Sequence, residues 1–333
     1  MPALKLDSDG GELTYTDSGV PRSATDAPYI TVFVVHGIIF NNLIFKRLQA
    51  IAHTANLRIV AINRRGFGGS TPVSEHSAKL LSTGTDAEKL KVSDELCNEI
   101  GYFVDAFVQK EDIPPISSDR QGGGLAILGW SAGTGYVTRA IANISSYPPE
   151  TRARLARYVR ALIIEDPPSL ALGYSLPAET WTHNQILSIP EQQREQLGLQ
   201  WLTAYFDHGD LSTRDKSPRA PTIYNMSAEE RTAMIEPVKE LPIMLGMFPS
   251  ALSAFRKACF DSDVRSLLPE MKVWHLGCDA APSFGIAAYF DILADHEANG
   301  GGLINFRMIP GGNHFPHWDD PEKTLQALVE AVQ

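Results

Sequence analysis

The stretch Gly129-Trp130-Ser131-Ala132-Gly133 decides the fold class of this chain. It follows an apolar run at residues 125–128 and precedes a helix-compatible stretch at residues 134–144, which predicts a strand, a sharp turn and a helix. The glycines at both ends lack side chains, so strand and helix can pass close together. The turn would raise the Ser131 hydroxyl out of the sheet at a helix N-terminus, with the next N–H directed at a developing oxyanion. Ser131 is therefore the candidate nucleophile.

Composition predicts an ordinary globular protein. The 333 residues are 44% hydrophobic and 20% charged, enough for two average domains or one large α/β domain with an insertion. No apolar run reaches the roughly 18 residues of a membrane span, and the N-terminal residues lack a secretory pattern, so we expect no membrane span and a cytoplasmic location. A net charge of −10 argues against nucleic-acid binding.

Cysteine spacing gives no sign of a disulfide framework or a zinc site. Cys97, Cys259 and Cys278 are odd in number, far apart and without C-x-x-C spacing, so we expect buried thiols. The aspartates and histidines also lack the ligand spacing of zinc hydrolases. We therefore expect neither a metal nor another cofactor.

Strand-like and helix-like segments alternate along most of the chain, which predicts a mainly parallel sheet. Over residues 169–268 the alternation stops, and short helical patches separated by prolines replace the strands. We predict a core domain formed by residues 1–168 and 269–333, with residues 169–268 inserted as a helical cap. The predicted strands are residues 29–35, 57–62, 125–128, 159–164, 271–276 and 304–309; the predicted helices are residues 43–54, 85–109, 134–144, 286–298 and 321–332.

A serine hydroxyl attacks only when a base removes its proton, so the turn at Ser131 predicts a downstream histidine. The run Gly311-Gly312-Asn313-His314 lies between the last predicted strand and the last predicted helix. His314 would therefore sit on a loop over the carboxyl ends of the strands, where open α/β sheets form their sites. His317 is closer to the helix, and we interpret it as a supporting or surface group.

Together these features resemble the α/β-hydrolase superfamily, specifically its serine members with a cap. The resemblance rests on His36-Gly37 after an early predicted strand, Arg-Gly-Phe-Gly-Gly-Ser at residues 65–70 after the next one, the Ser131 turn and Asn313-His314. It implies an α/β-hydrolase fold, with a mostly parallel central sheet and an inserted helical cap. It also implies Ser131 as nucleophile, His314 as general base and the backbone amides of Ile38 and Ala132 as the oxyanion hole.

The acid that orients His314 stays open among three carboxylates. Glu165 and Asp166 follow the strand after the Ser131 turn, a position that resembles haloalkane dehalogenases and some lipases. Asp279 follows the next strand, but it lies two residues after the strand-end Gly277, where the family usually has three. We favour Asp166, with Asp279 and Glu165 as alternatives.

A serine nucleophile excludes the alkyl-ester chemistry of the epoxide hydrolases and haloalkane dehalogenases of this superfamily, which use an aspartate. We expect hydrolysis of an ester or lactone of a small hydrophobic or aromatic molecule, and the chain resembles a hydrolase of mycotoxin-like macrolactones. Apolar side chains of the predicted cap would line the pocket. The candidates are Trp181, Trp201, Tyr205, Tyr224, Met247 and Phe248.

Two other functions stay open. One is a carbon-carbon bond hydrolase of the type that cleaves ring-fission diketones, for which Arg214, Arg219 and Arg231 could bind a dienoate carboxylate. The other is a non-hydrolytic ligand receptor or cyclase that keeps the same fold. The sequence does not predict the oligomeric state.

Overall fold

A central sheet of eight strands organises the molecule. The computed structural model describes residues 1–6, 11–22, 28–176, 190–208, 220–236 and 246–333. The strands are β1 (Ala3–Lys5), β2 (Glu12–Asp17), β3 (Ile30–Val35), β4 (Leu57–Ile62), β5 (Leu125–Trp130), β6 (Val159–Glu165), β7 (Lys272–Cys278) and β8 (Ile304–Ile309). Their order is β1-β2-β4-β3-β5-β6-β7-β8. β1 pairs with β2 and β2 with β4 in antiparallel fashion, and the other pairs are parallel, which confirms the predicted architecture.

Helices cover both faces of this sheet. They are α1 (Lys46–Ile51), α2 (Glu75–Thr83), α3 (Asp86–Lys110), α4 (Gly133–Ala142), α5 (Pro149–Tyr158), α6 (Glu191–Leu202), α7 (Ala228–Met234), α8 (Ala251–Phe260), α9 (Ser262–Leu267), α10 (Ser283–Ala298), α11 (Pro316–Asp319) and α12 (Pro321–Val332). Apolar residues of α3, α4 and α8 pack on one face. Residues of α1 and α12 pack on the other. None of the helices in the described ranges is long and apolar enough to cross a membrane.

The central strands are buried from end to end. Every residue of β3, β4, β5 and β6 is buried, because helices lie on both sides of parallel strands. Such strands are mostly apolar runs, and these runs predicted β3 to β6 to within two residues at each end. β1 and β2 were not predicted, because β1 is three residues long and β2 is a partly polar strand near the sheet edge.

The described helices between β6 and β7 are joined by loops, and the described part of this segment adds no strand to the sheet. Its last part packs against the core. Phe255 and Cys259 of α8 are fully buried in the cluster that contains α3 and α4. The boundaries of a cap within residues 169–268 stay a prediction.

Candidate active site

Ser131 occupies the sharp turn between β5 and α4. Its φ is 54°, a left-handed conformation that costs a residue with a side chain about 1–2 kcal/mol. Hydrogen bonds hold the turn: the Ser131 N–H donates to the Glu165 carbonyl oxygen at 3.0 Å, and the Ser131 carbonyl oxygen accepts from the Thr134 N–H at 3.0 Å. Strain of this kind persists only where surrounding structure fixes it.

Two glycines allow the backbone to come close to this turn. A Cβ on Gly133 would lie 2.3 Å from the carbonyl oxygen of Val35, at the end of β3. A Cβ on Gly37 would lie 2.7 Å from the Cβ of Ser131 and 2.9 Å from its Oγ. Real Cβ atoms essentially never come this close, so both positions need glycine. The close approach brings the peptide that follows Gly37 next to the Ser131 hydroxyl.

His314 joins Ser131 to Asp166 in a buried hydrogen-bonded chain. The imidazole Nε2 lies 2.9 Å from the Ser131 Oγ. The Nδ1 lies 2.5 Å from the Asp166 Oδ2. Ser131, His314 and Asp166 are 4%, 1% and 1% exposed. Because little water reaches them, solvent does not weaken their hydrogen bonds. The arrangement fits a ring whose Nδ1–H donates to the carboxylate, which leaves Nε2 able to accept the serine proton.

Neighbouring residues fix the loop that carries His314. The Trp130 indole N–H, one residue before Ser131, donates to the His314 carbonyl oxygen at 2.7 Å. Asn313 accepts from the Phe315 N–H at 2.9 Å, and its amide donates to the Thr203 carbonyl oxygen at 2.8 Å. The backbone of the His314 loop is therefore anchored to the strand before the serine and to the segment between β6 and β7.

Asp166 adopts a left-handed conformation with φ 40°. Its N–H donates to the Leu276 carbonyl oxygen at 2.8 Å, which ties it to β7. A Cβ on Gly285, in the first turn of α10, would lie 3.0 Å from the Asp166 Oδ1. The carboxylate is therefore close to a helix N-terminus, which favours negative charge. Burial raises the pKa of Asp166, and its hydrogen bond with His314 acts in the opposite direction.

The other two candidate carboxylates point elsewhere. One Asp279 oxygen accepts from the Gly311 N–H at 2.7 Å, at the start of the loop that carries His314. The Glu165 Oε2 lies 3.6 Å from the Nδ1 of His317. The structure thus brings Ser131, His314 and Asp166 together.

The two predicted oxyanion donors flank the serine. Within the described ranges, neither the Ile38 N–H nor the Ala132 N–H donates to a protein acceptor. The Gly37 carbonyl oxygen accepts from the Arg64 guanidinium at 2.8 Å. In a trans peptide the C=O and N–H point in opposite directions, so this bond turns the Ile38 N–H away from Arg64. Orphan N–H groups beside a nucleophile suit the oxygen of a tetrahedral intermediate.

His36 supports this loop as a neutral ring. Its Nδ1 lies 2.8 Å from the Gly37 carbonyl oxygen, and its Nε2 accepts from the Arg64 N–H at 3.2 Å. Burial, reinforced by the nearby Arg64 charge, lowers the pKa of His36 well below its ordinary value. The ring therefore shapes the turn that presents Ile38.

Comparison with known proteins identifies the family of the chain. A model of the alpha/beta hydrolase family matches residues 32–327. The chain belongs to the alpha/beta hydrolase family. No curated protein matches its sequence.

Solved structures with the same fold are distant in sequence. A bromoperoxidase from Bacillus anthracis aligns with TM-score 0.57 at 13% identity, over 99% of this chain and 99% of that chain. Cfl2 from Burkholderia cenocepacia aligns with TM-score 0.57 at 15% identity, over 99% and 95%. The esterase EaEST from Exiguobacterium antarcticum aligns with TM-score 0.53 at 14% identity, over 99% and 98%. At these identities the likeness shows the alpha/beta hydrolase fold alone.

The predicted pocket residues of this alpha/beta hydrolase lie at different distances from the site. Trp201 packs edge-on against Phe284, whose ring in turn packs against His314 at 5.1 Å between centroids. Met247 and Phe248 border a small cavity beside Ala132. Phe284 lies on α10, outside the predicted cap, and is not among the residues that the sequence predicted for the pocket.

Two further predicted pocket residues, Tyr224 and Tyr205, form hydrogen bonds with other side chains. Tyr224 is 59% exposed and its hydroxyl accepts from Gln200, so its ring faces solvent. The Tyr205 hydroxyl donates to Asp319 at 2.7 Å, in α11. Trp181 lies outside the described residues, as do Arg214 and Arg219.

Two carboxylates connect the segment between β6 and β7 to loops near the candidate site. The sequence did not predict either of them. Asp319 accepts from the side chains of Tyr205, Thr222 and Asn225, and so anchors this segment just after the His314 loop. Glu236 accepts from the Gly68 N–H at 2.9 Å, on the opposite side. No local pattern identifies these anchors, because each pairs residues about 100 or more positions apart.

Proposed function

We propose that this protein hydrolyses carboxylic esters or lactones of small hydrophobic molecules through an acyl-enzyme on Ser131. The observation that carries the proposal is the continuous chain from the Ser131 Oγ through His314 to Asp166, with 2.9 Å and 2.5 Å contacts. Membership of the alpha/beta hydrolase family supports it. Acyl transfer is the chemistry that a serine, an oriented imidazole and adjacent orphan N–H groups serve together.

In the first half of the reaction, the Ser131 Oγ forms a bond to the carbonyl carbon as its proton moves to the His314 Nε2. The carbonyl oxygen becomes an oxyanion, which accepts hydrogen bonds from the Ile38 and Ala132 N–H groups. Asp166 stabilises the imidazolium that has formed. The bond to the leaving oxygen then breaks, and that oxygen takes the proton from His314.

In the second half, water replaces the alcohol. His314 removes a proton from water as the water oxygen attacks the acyl carbon, and the Ser131 Oγ leaves with that proton. The products are a carboxylic acid and an alcohol, joined in one hydroxy acid when the substrate is a lactone. The rings of Phe284 and Trp201 near His314 favour an apolar or aromatic substrate.

The test is hydrolysis of p-nitrophenyl butyrate and of the aryl lactone dihydrocoumarin by the wild type and the Asp166→Asn and Asp279→Asn variants. We expect Asp166→Asn to lower kcat by about 10⁴-fold, because an amide cannot hold the required imidazole tautomer. Asp279→Asn keeps an oxygen that can accept from Gly311 and should stay within about tenfold of the wild type. Full activity of Asp166→Asn, or no turnover of either substrate by the wild type, would contradict the proposal.

A further inference from the structure

A strained turn directly follows Ile38, the residue whose N–H is a proposed oxyanion donor. Ile39 has φ 71°, a value that is unfavourable for a residue with a β-branched side chain. The Phe40 N–H donates to the Ile38 carbonyl oxygen at 2.8 Å, so these three residues form a γ-turn of the rare kind with positive φ at its centre. A strained turn persists only where the surrounding structure holds it.

The end of α7 pairs with this turn through backbone hydrogen bonds. The Glu236 N–H donates to the Ile39 carbonyl oxygen at 2.7 Å, and the Asn41 N–H donates to the Met234 carbonyl oxygen at 3.0 Å. Together they form a single antiparallel bridge outside the central sheet. One bridge is far shorter than the strands that are stable in proteins, so further contacts are needed to hold it.

The Glu236 side chain supplies such contacts. Its Oε1 accepts from the Asn41 side-chain amide at 2.9 Å and from the Gly68 N–H at 2.9 Å. Asn41 is 3% exposed, and its amide also donates to the Ala233 carbonyl oxygen at 2.9 Å. One carboxylate oxygen therefore joins the turn, the end of α7 and the loop after β4. Hydrogen bonds to a charged acceptor are among the stronger ones in proteins.

The loop after β4 is itself held in place. Gly68 has φ 53°, and a Cβ at this position would overlap the side-chain amide of Asn63. The Gly68 carbonyl oxygen accepts from the Thr14 hydroxyl at 2.9 Å, and the Asn63 amide donates to the same hydroxyl at 2.9 Å. The Asn63 side-chain oxygen also accepts from the Asn42 N–H at 2.9 Å, just after the turn. Glu236 therefore connects the turn to a fixed part of the core.

We infer that Glu236 is a positioning residue for the oxyanion hole. It holds the strained turn at Ile39 and thereby the direction of the Ile38 N–H, while Arg64 fixes the same peptide through the Gly37 carbonyl oxygen. The inference rests on the proposed function, in which this N–H binds the oxyanion. Because the oxyanion exists only after the serine has attacked, a misdirected N–H lowers kcat and leaves KM nearly unchanged.

The first test compares the hydrolysis of p-nitrophenyl butyrate by the wild type and by Glu236→Gln, Glu236→Asp and Glu236→Ala. Glutamine keeps an oxygen that accepts from both donors but carries no charge, whereas aspartate keeps the charge on a shorter side chain. We expect kcat of Glu236→Gln to stay within about threefold of the wild type. Glu236→Asp and Glu236→Ala should lower kcat by about 10- to 100-fold, with KM within about threefold.

The matched control is Glu230→Ala, which removes a 2.6 Å contact with Lys46 from α7 and should keep the wild-type kcat. Butyl trifluoromethyl ketone adds to a serine as a hemiketal oxyanion, so its inhibition constant reports on the oxyanion hole. This constant should rise in Glu236→Ala by the factor by which kcat falls, whereas a purely structural role would lower stability alone. Wild-type kcat and inhibition in Glu236→Ala would overturn the inference and retain the proposed function. Glu236→Gln as slow as Glu236→Ala would overturn it too.

Amide hydrogen exchange, followed by NMR, tests the turn without any substrate. The Phe40 and Asn41 N–H groups should exchange at least about tenfold faster in Glu236→Ala than in the wild type or in Glu236→Gln. Unchanged exchange would overturn the inference, and Glu236→Asp provides the same comparison if the alanine variant does not fold. Faster exchange, together with no turnover of either ester substrate by the wild type, would reject the proposed function but retain Glu236 as the residue that holds the turn.

Discussion

Three of the five described non-glycine residues with positive φ lie at the candidate site. Ile39, Ser131 and Asp166 have φ values of 71°, 54° and 40°. Each lies after the end of a different strand. Ile39 follows the proposed oxyanion donor Ile38, and Ser131 and Asp166 carry proposed catalytic groups. Residues with side chains adopt this region at a cost of about 1–3 kcal/mol, which the rest of the fold must offset. The strain lies where groups on β3, β5 and β6 converge.

Gly37 gives the sharpest prediction at the scale of one residue. We expect Gly37→Ala to lower kcat/KM for p-nitrophenyl butyrate by at least about 100-fold, because the new Cβ would displace the Ser131 side chain by overlap at 2.7 Å. Gly300→Ala is the control: nothing lies within 4 Å of its added Cβ, although Gly300, unlike Gly37, has a positive φ of 88°. The control should lose stability but retain activity. Equal activity of both variants would refute the close approach.

The sequence predicted Ser131 and His314 because their local patterns are specific, but it could not choose among the carboxylates. Glu165 and Asp166 are consecutive residues, and side chains of consecutive residues at a strand end point to opposite sides. One therefore meets His317 and the other His314. Which side each takes depends on the packing of β6 between β5 and β7, which no short pattern records.

The limits of the elements were predictable to different degrees. β4 and β8 have the predicted limits, and α12 does too. Asparagines flank the apolar run of β4, a glycine lies two residues before β8 and a proline directly after it, and α12 begins at a proline with apolar periodicity after it. The single helix predicted at residues 43–54 is wrong in detail. There, two short 3₁₀ helices flank α1, and Asn56 ends the run in a left-handed conformation. A change from α-helix to 3₁₀-helix at the end of a helix depends on the loops that the helix joins and not on its apolar pattern.

The role of the helices between β6 and β7 was harder to predict than their type. The absence of strands in this region was readable from the sequence, and the structure agrees where it describes the segment. The packing of α8 against α4 was not readable, because an amphipathic helix has the same pattern on a core as in a cap. The anchors at Asp319 and Glu236 are likewise products of tertiary contact.

At the scale of the whole molecule, buried histidines predict sensitivity to acid. Burial lowers the pKa of His275 to about 3, from an ordinary value of 6.5. The unfolded chain therefore binds more protons than the folded chain between about pH 6.5 and pH 3. The free energy of unfolding then falls as pH falls through that window. A shift of this size corresponds to a loss on the order of 3–5 kcal/mol when complete.

Replacing His275 with leucine should remove this loss. Its ring packs among Tyr289 and Phe306, so we expect His275→Leu to change stability at pH 7 by less than about 1.5 kcal/mol and to unfold at a lower pH than the wild type. His76→Leu, at an exposed position on α2, should unfold at the wild-type pH. Acid titrations followed by circular dichroism measure all three. A His275→Leu midpoint equal to that of the wild type would contradict the assignment.

The central claim is that Ser131 is a nucleophile activated by His314. The most direct measurement is labelling with a fluorophosphonate probe, followed by mass spectrometry of the peptides. We predict one adduct per chain, on Ser131, abolished in Ser131→Ala and slowed by at least about 10³-fold in His314→Gln. A folded wild-type protein that leaves Ser131 unlabelled, or that labels equally fast without His314, would contradict the claim.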